Sequence, residues 1–433
     1  MSFFTRSQIA LSYTAMICHY QCMTNFHSPH FPAAAPTGKR FVAFSRAQRL
    51  TFITLSAAFA LTACATTSVA TNADSPPPAT AQEALRPFYA GLTAKLPVAP
   101  PNASLASDTV LTRIAFGSCV NENRSMAFWD VIAAQKPQAF LLIGDNVYGD
   151  TRATNSADIP TLTASYRKLS SRQEFDRFRR SVPMMTTWDD HDLGANDAGG
   201  SFAFKEYAEK AYEAYWGSSD AVKSRPGVYE SRIVGPEGKR VQFIILDSRF
   251  FRSDLVAMPY RDPGPALGWY IPNTDPKATL LGDAQWQWLE QELAKPADLR
   301  FIVSSIQLIT SAHNYESWAN FPKERERFYG MLAAKGVNNA MLLTGDRHAG
   351  GFYKADVAGL KTPLWEITSS SLNFAFGKGD DGDKEPDPAR TGGLWGIANF
   401  SVIDIDWTSK KVKFSLRRDD NSVIEEQEIT PIG

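Results

Sequence analysis

Apolar runs that stop at clusters of ionisable residues constrain this chain more than any other feature. Arg113–Gly117 ends in Ser118-Cys119, and Gln138–Ile143 ends in Gly144-Asp145, with Tyr148 close behind. Ser181–Thr187 ends in Trp188-Asp189-Asp190-His191, and Val241–Leu246 ends in Asp247-Ser248-Arg249. Arg300–Ser304 follows, and Ala340–Thr344 ends in Gly345-Asp346-Arg347-His348. Between these runs the spacing predicts helices over Ala127–Gln135 and Ala284–Ala294, the second with Trp286, Leu289 and Leu293 on one face. Continuous apolar strands alternating with helices describe an α/β protein whose sheets are covered on both sides. Ligands in such folds bind at the carboxyl ends of strands. One Gly-Asp after a strand is only a turn. Strand ends carrying Cys119, then Asp145 with Tyr148, then Asp189, Asp190 and His191, then Asp346 and His348 need another explanation.

Chemistry supplies one. Several carboxylates in one pocket cannot all stay ionised unless a cation neutralises them. Carboxylates also bridge ions, and a two-ion clamp suits in-line displacement at phosphorus. The same cation would explain Cys119, which has no partner if Cys64 is modified, as argued below. Overall charge points the same way. With 45 Lys+Arg against 46 Asp+Glu, the chain is not built to neutralise a nucleic-acid backbone. At 44% hydrophobic and 21% charged residues, it can fill a core.

The first 63 residues read as an address rather than a fold. Lys39, Arg40, Arg46 and Arg49 precede a short apolar run over Leu50–Ala63, the pattern of an export signal. Leu61-Thr62-Ala63-Cys64 resembles the lipobox of bacterial lipoproteins, which implies cleavage before Cys64 and lipid on its sulfur and new amino group. Ala65, in place of Asp, implies sorting to the outer membrane, facing the periplasm. Upstream, Cys18, Cys22, His27 and His30 mimic a zinc spacing, but the signal would carry them away. Residues 64–110 then form a tether rich in Ala, Thr, Ser and Pro, with a short helix over 83–95 ended by Pro97. The globular domain covers 111–433. Within it, the Gly- and Asp-rich stretch 377–393 reads as a mobile loop.

The strand-end motifs together resemble the alkaline phosphatase D (PhoD-like) family. They are Gly117-Ser118-Cys119, Gly144-Asp145-Asn146-Val147-Tyr148, Trp188-Asp189-Asp190-His191-Asp192 and Gly345-Asp346-Arg347-His348, joined by Asp247-Ser248-Arg249-Phe250-Phe251-Arg252 and Leu281-Gly282-Asp283-Ala284-Gln285-Trp286. The resemblance implies a metallophosphatase-like four-layer α/β/β/α sandwich. It implies Fe³⁺ held by Cys119 and Tyr148, and Asp145 bridging that iron to Ca²⁺, with other divalent metals as substitutes. Asp190 or Asp189 would hold the second ion, Asn196 would contribute nearby, and Asp346 and His348 would complete the set. His191 would protonate the leaving alcohol. Arg249 and Arg252 would grip phosphate oxygens, and Asn146 would contact substrate. His313 reads as a satisfied structural histidine, and Glu324-Arg325 as an internal ion pair.

The expected activity is metal-dependent hydrolysis of phosphate mono- or diesters in the periplasm. A phospholipase D-like action on lipid head groups, a fold retired into envelope binding, and a metal-storage lipoprotein are the alternatives. No obligate protein partner is expected. Two departures from the family stand out. The chain leaves no space for the immunoglobulin-like domain that relatives often carry ahead of the catalytic one, and Ser45-Arg46-Ala47-Gln48-Arg49 is not a twin-arginine signal.

Overall fold

Alternating side chains decide the layers. In a computed structural model describing residues 80–151, 156–260 and 267–431, β1 (Arg113–Gly117) sends Ile114 and Phe116 to one face and Ala115 to the other. The export signal, Cys64 and most of the tether lie outside the described residues. β2 (Phe140–Ile143) lies parallel to β1, and β3 (Met184–Thr187) parallel to β2. On their outer face pack α1 (Ala81–Gly91), α2 (Phe128–Ala134), α3 (Pro160–Ser170) and α4 (Gln173–Ser181). Trp129 of α2 meets Phe140 edge-on at 5.4 Å and Phe178 of α4 at 4.7 Å. The third run was expected to start at Ser181, but residues 173–181 are helical. Phe175 and Phe178 lie three apart and are both buried, a helical spacing that keeps the strand from starting before Met184.

Past α5 (Asp190–Leu193), α6 (Lys205–Trp216) and α7 (Asp220–Lys223) comes a second sheet. It contains β4 (Glu230–Val234), β5 (Val241–Ile245), β8 (Leu299–Ser304), β9 (Ala340–Thr344), β10 (Gly350–Ala355), β11 (Leu364–Ser369) and β12 (Arg390–Trp395). The order is β12-β10-β11-β9-β8-β5-β4, with β5, β8, β9 and β11 parallel. A separate small ribbon pairs β6 (Val256–Ala257) antiparallel with β7 (Tyr270–Ile271). The chain then returns to the first sheet as β13 (Phe400–Asp406), β14 (Lys411–Arg417) and β15 (Val423–Ile429). That sheet runs β15-β14-β13-β1-β2-β3, with β13 antiparallel to β1.

The middle of the protein lies between the sheets. Ile114, Phe116, Leu141 and Ile143 face Phe243, Phe301, Val303 and Leu343. Phe301 of the second sheet meets Phe414 of the first edge-on at 6.5 Å. Residues one step out of phase, Ile244, Ile302 and Leu342, turn to the far side. There they pack on α8 (Gly282–Leu293) and α9 (Pro322–Ala334) through Trp286, Leu289, Phe328 and Leu332. Helices, sheet, sheet and helices make four layers, as expected. Each buried Leu or Phe contributes about 1.5–3 kcal/mol, so the three apolar layers together hold the strand ends in place.

The stretch 377–393 is built rather than loose. Asp380 accepts from the Leu394 amide at 2.9 Å, Glu385 is buried against Arg347, and β12 begins at Arg390. Glu324 and Arg325 do not pair. Glu324 accepts from Thr279, Leu280, Leu281 and Trp286, while Arg325 donates to Thr310 and Ser311. No described helix is long and apolar enough to cross a membrane.

Candidate metal centre

Backbone geometry at the strand ends turns the ionisable groups inward. Cys119, Asp145, Asp346 and His348 all have positive φ, at 61°, 48°, 63° and 53°. A left-handed backbone costs a non-glycine residue about 1–2 kcal/mol, and such strain collects where function holds it. Gly144, at φ 110°, makes the neighbouring turn possible, and a Cβ there would meet that of Asp189 at 2.8 Å. The loops are stitched across both sheets. Val120 N donates to Asp145 O at 2.8 Å, Leu372 N to Ser118 O at 2.9 Å, and Gly345 N to Ser305 O at 3.1 Å. Ser118 and Ser370 form a single bridge between the sheets.

The result is two adjoining groups that share Asp145. Ligand atoms of Cys119, Asp145 and His348 lie within 4.8 Å of one another, and so do those of Asp145, Asp189, Asp190 and Asp346. Around the first group, Cys119 Sγ is 3.4 Å and Tyr148 Oη 3.1 Å from Asp145 Oδ2. Tyr148 Oη is 3.4 Å from His348 Nε2. The Phe374 carbonyl accepts from or faces His348 Nδ1, which leaves Nε2 turned toward the cluster. His191 also lies within 4.8 Å of Asp145 and Asp190 by its nearest ring nitrogen.

Electrostatics mark the cluster as short of positive charge. Burial, then repulsion from Asp190, Asp189 and Asp346, pushes the Asp145 carboxyl well above the carboxylate range. Asp346 is raised by burial and by Asp189 and Asp190. Burial and then Asp145 push up both the Cys119 thiol and the Tyr148 phenol. Burial lifts Asp189 to about 6 despite Arg249. Burial would lift Asp190 as well, but His191, Arg249 and the Asp197 amide outweigh it and hold it low. Asp145 Oδ1 and Asp189 Oδ2 are buried with no hydrogen-bond partner. Unpaired carboxylate oxygens in a buried acidic cluster fit bound cations, which would oppose each of the upward shifts. Thiol, phenol and imidazole donors sit at one end, and carboxylate oxygens at the other. Soft and strongly basic donors suit a transition metal, while an oxygen set suits a hard divalent ion.

The remaining predicted residues take different places. His191 Nδ1 lies 2.5 Å from Asp150 Oδ1, and its ring packs on Tyr148 at 4.3 Å. Arg249 and Arg252, expected to grip phosphate, are buried in the scaffold instead. Arg249 holds Asp189 and Glu316, each at 2.5 Å, and Arg252 lies 2.9 Å from Glu316. Neither guanidinium can reach a substrate without leaving buried carboxylates bare. Asn146 is also buried, donating Nδ2 to Thr187 O at 2.9 Å, so it pins the end of β2 to that of β3. Asn196 is exposed after α5, while the neighbouring Asp197 accepts from Tyr270 at 2.6 Å. His313 is satisfied by Gln307 and the Tyr315 amide, as expected.

Sequence reasoning passed over several supports. Asp192 accepts from the Asn146 and Asp189 amides at 3.0 and 3.1 Å, and its place in the Asp-Asp-His-Asp run was a usable signal. Glu122 accepts from the Tyr148 amide at 3.1 Å and from Ser165 at 2.8 Å. Ser370 lies 3.2 Å from the Cys119 thiol, and Ser305 donates to Asp189 at 2.6 Å. Nothing local in the sequence marks Ser305, Ser370 or Glu316.

Comparison with known proteins places this geometry. A family model described as PhoD-like phosphatase matches residues 114–413. Alkaline phosphatase D of Bacillus subtilis (strain 168) is 28% identical over 301 residues, covering 60% of this chain and 48% of that protein. The chain therefore spans about half the length of that relative. A solved structure titled "Structure of PhoD" matches with a TM-score of 0.56 at 22% identity, covering 77% of this chain and 70% of that one, a likeness of fold.

Proposed function

Since the chain belongs to the PhoD-like phosphatase family, we propose that it is a metal-dependent phosphoesterase hydrolysing phosphate mono- or diesters. The observation that carries this reading is the pair of adjoining ligand groups joined through Asp145, with buried oxygens of Asp145 and Asp189 left unpaired. Cys119, Tyr148 and His348 with Asp145 would hold one ion, proposed as Fe³⁺. Asp145, Asp190, Asp346 and Asp189 would hold the other, proposed as Ca²⁺. Bound there, the ions would neutralise phosphoryl charge and make water nucleophilic.

The chain's own groups do the rest. Asp145 fixes both halves relative to each other. Asp150 orients the His191 imidazole through Nδ1, so that Nε2 can give a proton to the leaving alkoxide. Arg249 locks Asp189, so the carboxylate wall does not move when substrate charge enters. Residues 39–64 support a lipid anchor on Cys64 and a place in the cell envelope, outer membrane facing the periplasm.

The test is elemental analysis of protein purified without chelators, followed by hydrolysis of 4-nitrophenyl phosphate and bis(4-nitrophenyl) phosphate. Bound metal and turnover that both disappear with Asp145→Asn are expected. Metal without turnover on either ester would favour a binding module.

A further inference from the structure

The segment after β11 does more than close the fold. Leu372 N is tied to Ser118 O at 2.9 Å. The Asn373 amide donates to the Asn121 and Ser125 carbonyls, each at 3.0 Å, and accepts from the Asn121 amide at 2.7 Å. The Phe374 carbonyl meets His348 Nδ1, and the Arg124 guanidinium lies 4.2 Å over the Phe374 ring. These bonds fix a short stretch that carries two aromatic rings directly beside the ligand cluster. Phe374 contacts Tyr148 edge-on at 4.7 Å and His348 at 5.1 Å. Phe376 lies against the His348 imidazole at 4.1 Å and meets Phe374 edge-on at 5.1 Å.

Phe376 is nevertheless 66% exposed. A lone exposed phenylalanine is ordinary on a surface. This one is different because its backing is a candidate ligand, and its neighbour Phe374 is held by its carbonyl on His348, by Arg124 over its ring and by the tied residues Leu372 and Asn373 before it. A ring that already rests on two aromatic neighbours has less conformational freedom to lose on binding. Its π-face suits another planar apolar group.

We propose that Phe374 and Phe376 form an aromatic wall at the metal centre that selects phosphate esters carrying a planar, aromatic organic group. The inference deepens the phosphoesterase reading and rests on it. It assigns these two side chains to specificity, with Arg124 as the residue that positions Phe374.

Phosphonates separate recognition from turnover, since the carbon–phosphorus bond is not hydrolysed. The full-length, metal-loaded protein is titrated calorimetrically with phenylphosphonate and with methylphosphonate, alongside hydrolysis of 4-nitrophenyl esters. The wild type is expected to prefer the phenyl compound by about tenfold, the scale of one good aromatic contact. Phe376→Ala should bring that ratio close to one, and Phe376→Trp should keep or raise it, with metal content unchanged in both. Hydrolysis without any preference for phenyl in the wild type would overturn the wall and leave the phosphoesterase reading intact. So would a preference that Phe376→Ala does not change. Binding of neither phosphonate together with no hydrolysis would overturn the phosphoesterase reading, and the wall with it.

Discussion

Cys119 and Tyr148 converge on one atom: thiol sulfur and phenol oxygen lie 3.4 and 3.1 Å from Asp145 Oδ2. Burial makes both groups hard to ionise in the metal-free cluster, so their acidity is set by what binds there. Cys119→Ser keeps the shape but replaces a soft donor with a hard one. The expected outcome is a changed or weakened metal content with an unchanged melting temperature in the presence of chelator. Elemental analysis beside thermal denaturation checks it, and unaltered metal content would remove Cys119 from the ligand set.

Asp145→Asn should abolish hydrolysis, by about 10³-fold or more, because it removes the one carboxylate common to both groups. The folded protein should survive, since the substitution also removes a buried charge. Steady-state rates at saturating metal, with circular dichroism as the control for folding, give the answer.

His191 and Asp150 act as a unit. His191→Ala should slow hydrolysis of alkyl esters by about 10²-fold and aryl esters much less, because a nitrophenolate leaves without a proton. Asp150→Asn should show the same pattern in smaller measure, since the 2.5 Å contact orients the ring. Equal losses on both ester types would mean that neither residue serves proton transfer.

Arg249 is a structural cation. Arg249→Met should destabilise the protein by about 3–5 kcal/mol, because Asp189 would remain buried without its cation and Glu316 would keep only Arg252. Denaturant unfolding measures this. A stable variant with only a raised KM would return Arg249 to the substrate.

His313 predicts an acid-side weakness. Burial, then Arg347, lowers its pKa from 6.5 to about 3. The unfolded chain therefore takes up a proton that the folded protein refuses. Stability from this site is fully present above pH about 6.5 and is lost as pH falls toward 3. His313→Gln should flatten the fall in melting temperature over that window, with the metal-loaded protein compared at each pH.

Much of the scaffold was legible because it depends on short-range pattern. The parallel strands β1, β2, β5 and β9 are apolar runs with ionisable ends and β8 is a plain apolar run; each was located to within a few residues, whereas α4 takes the first part of the run expected at β3. The candidate ligand cluster was legible for the same reason, since its residues directly follow strands of the two sheets. β4, β10, β12 and β15 were not anticipated. β15, with Glu425, Glu426 and Glu428, reads as polar surface and becomes a strand only because β14 offers it an edge. Arg249 was misread because its partner Glu316 lies far away in sequence, so nothing local distinguishes an arginine that meets phosphate from one that meets carboxylates. Asn146 braces two strand ends through Nδ2, while its buried Oδ1 has no hydrogen-bond partner among the described residues, so the expected substrate contact would fall to that oxygen.

One feature of the topology governs how such a chain comes into being. β1 is paired on one side by β2 and on the other by β13, with Arg113 opposite Asp404. A ribosome delivers the chain from its N-terminal end, so β1 waits with one bare edge until residues near 400 arrive. Cys119, at the end of that strand, waits with it, its opposite wall supplied by Ser370. β13 thus decides when β1 can settle, and a candidate metal centre spread over both sheets cannot form before residues 346–370 are in hand.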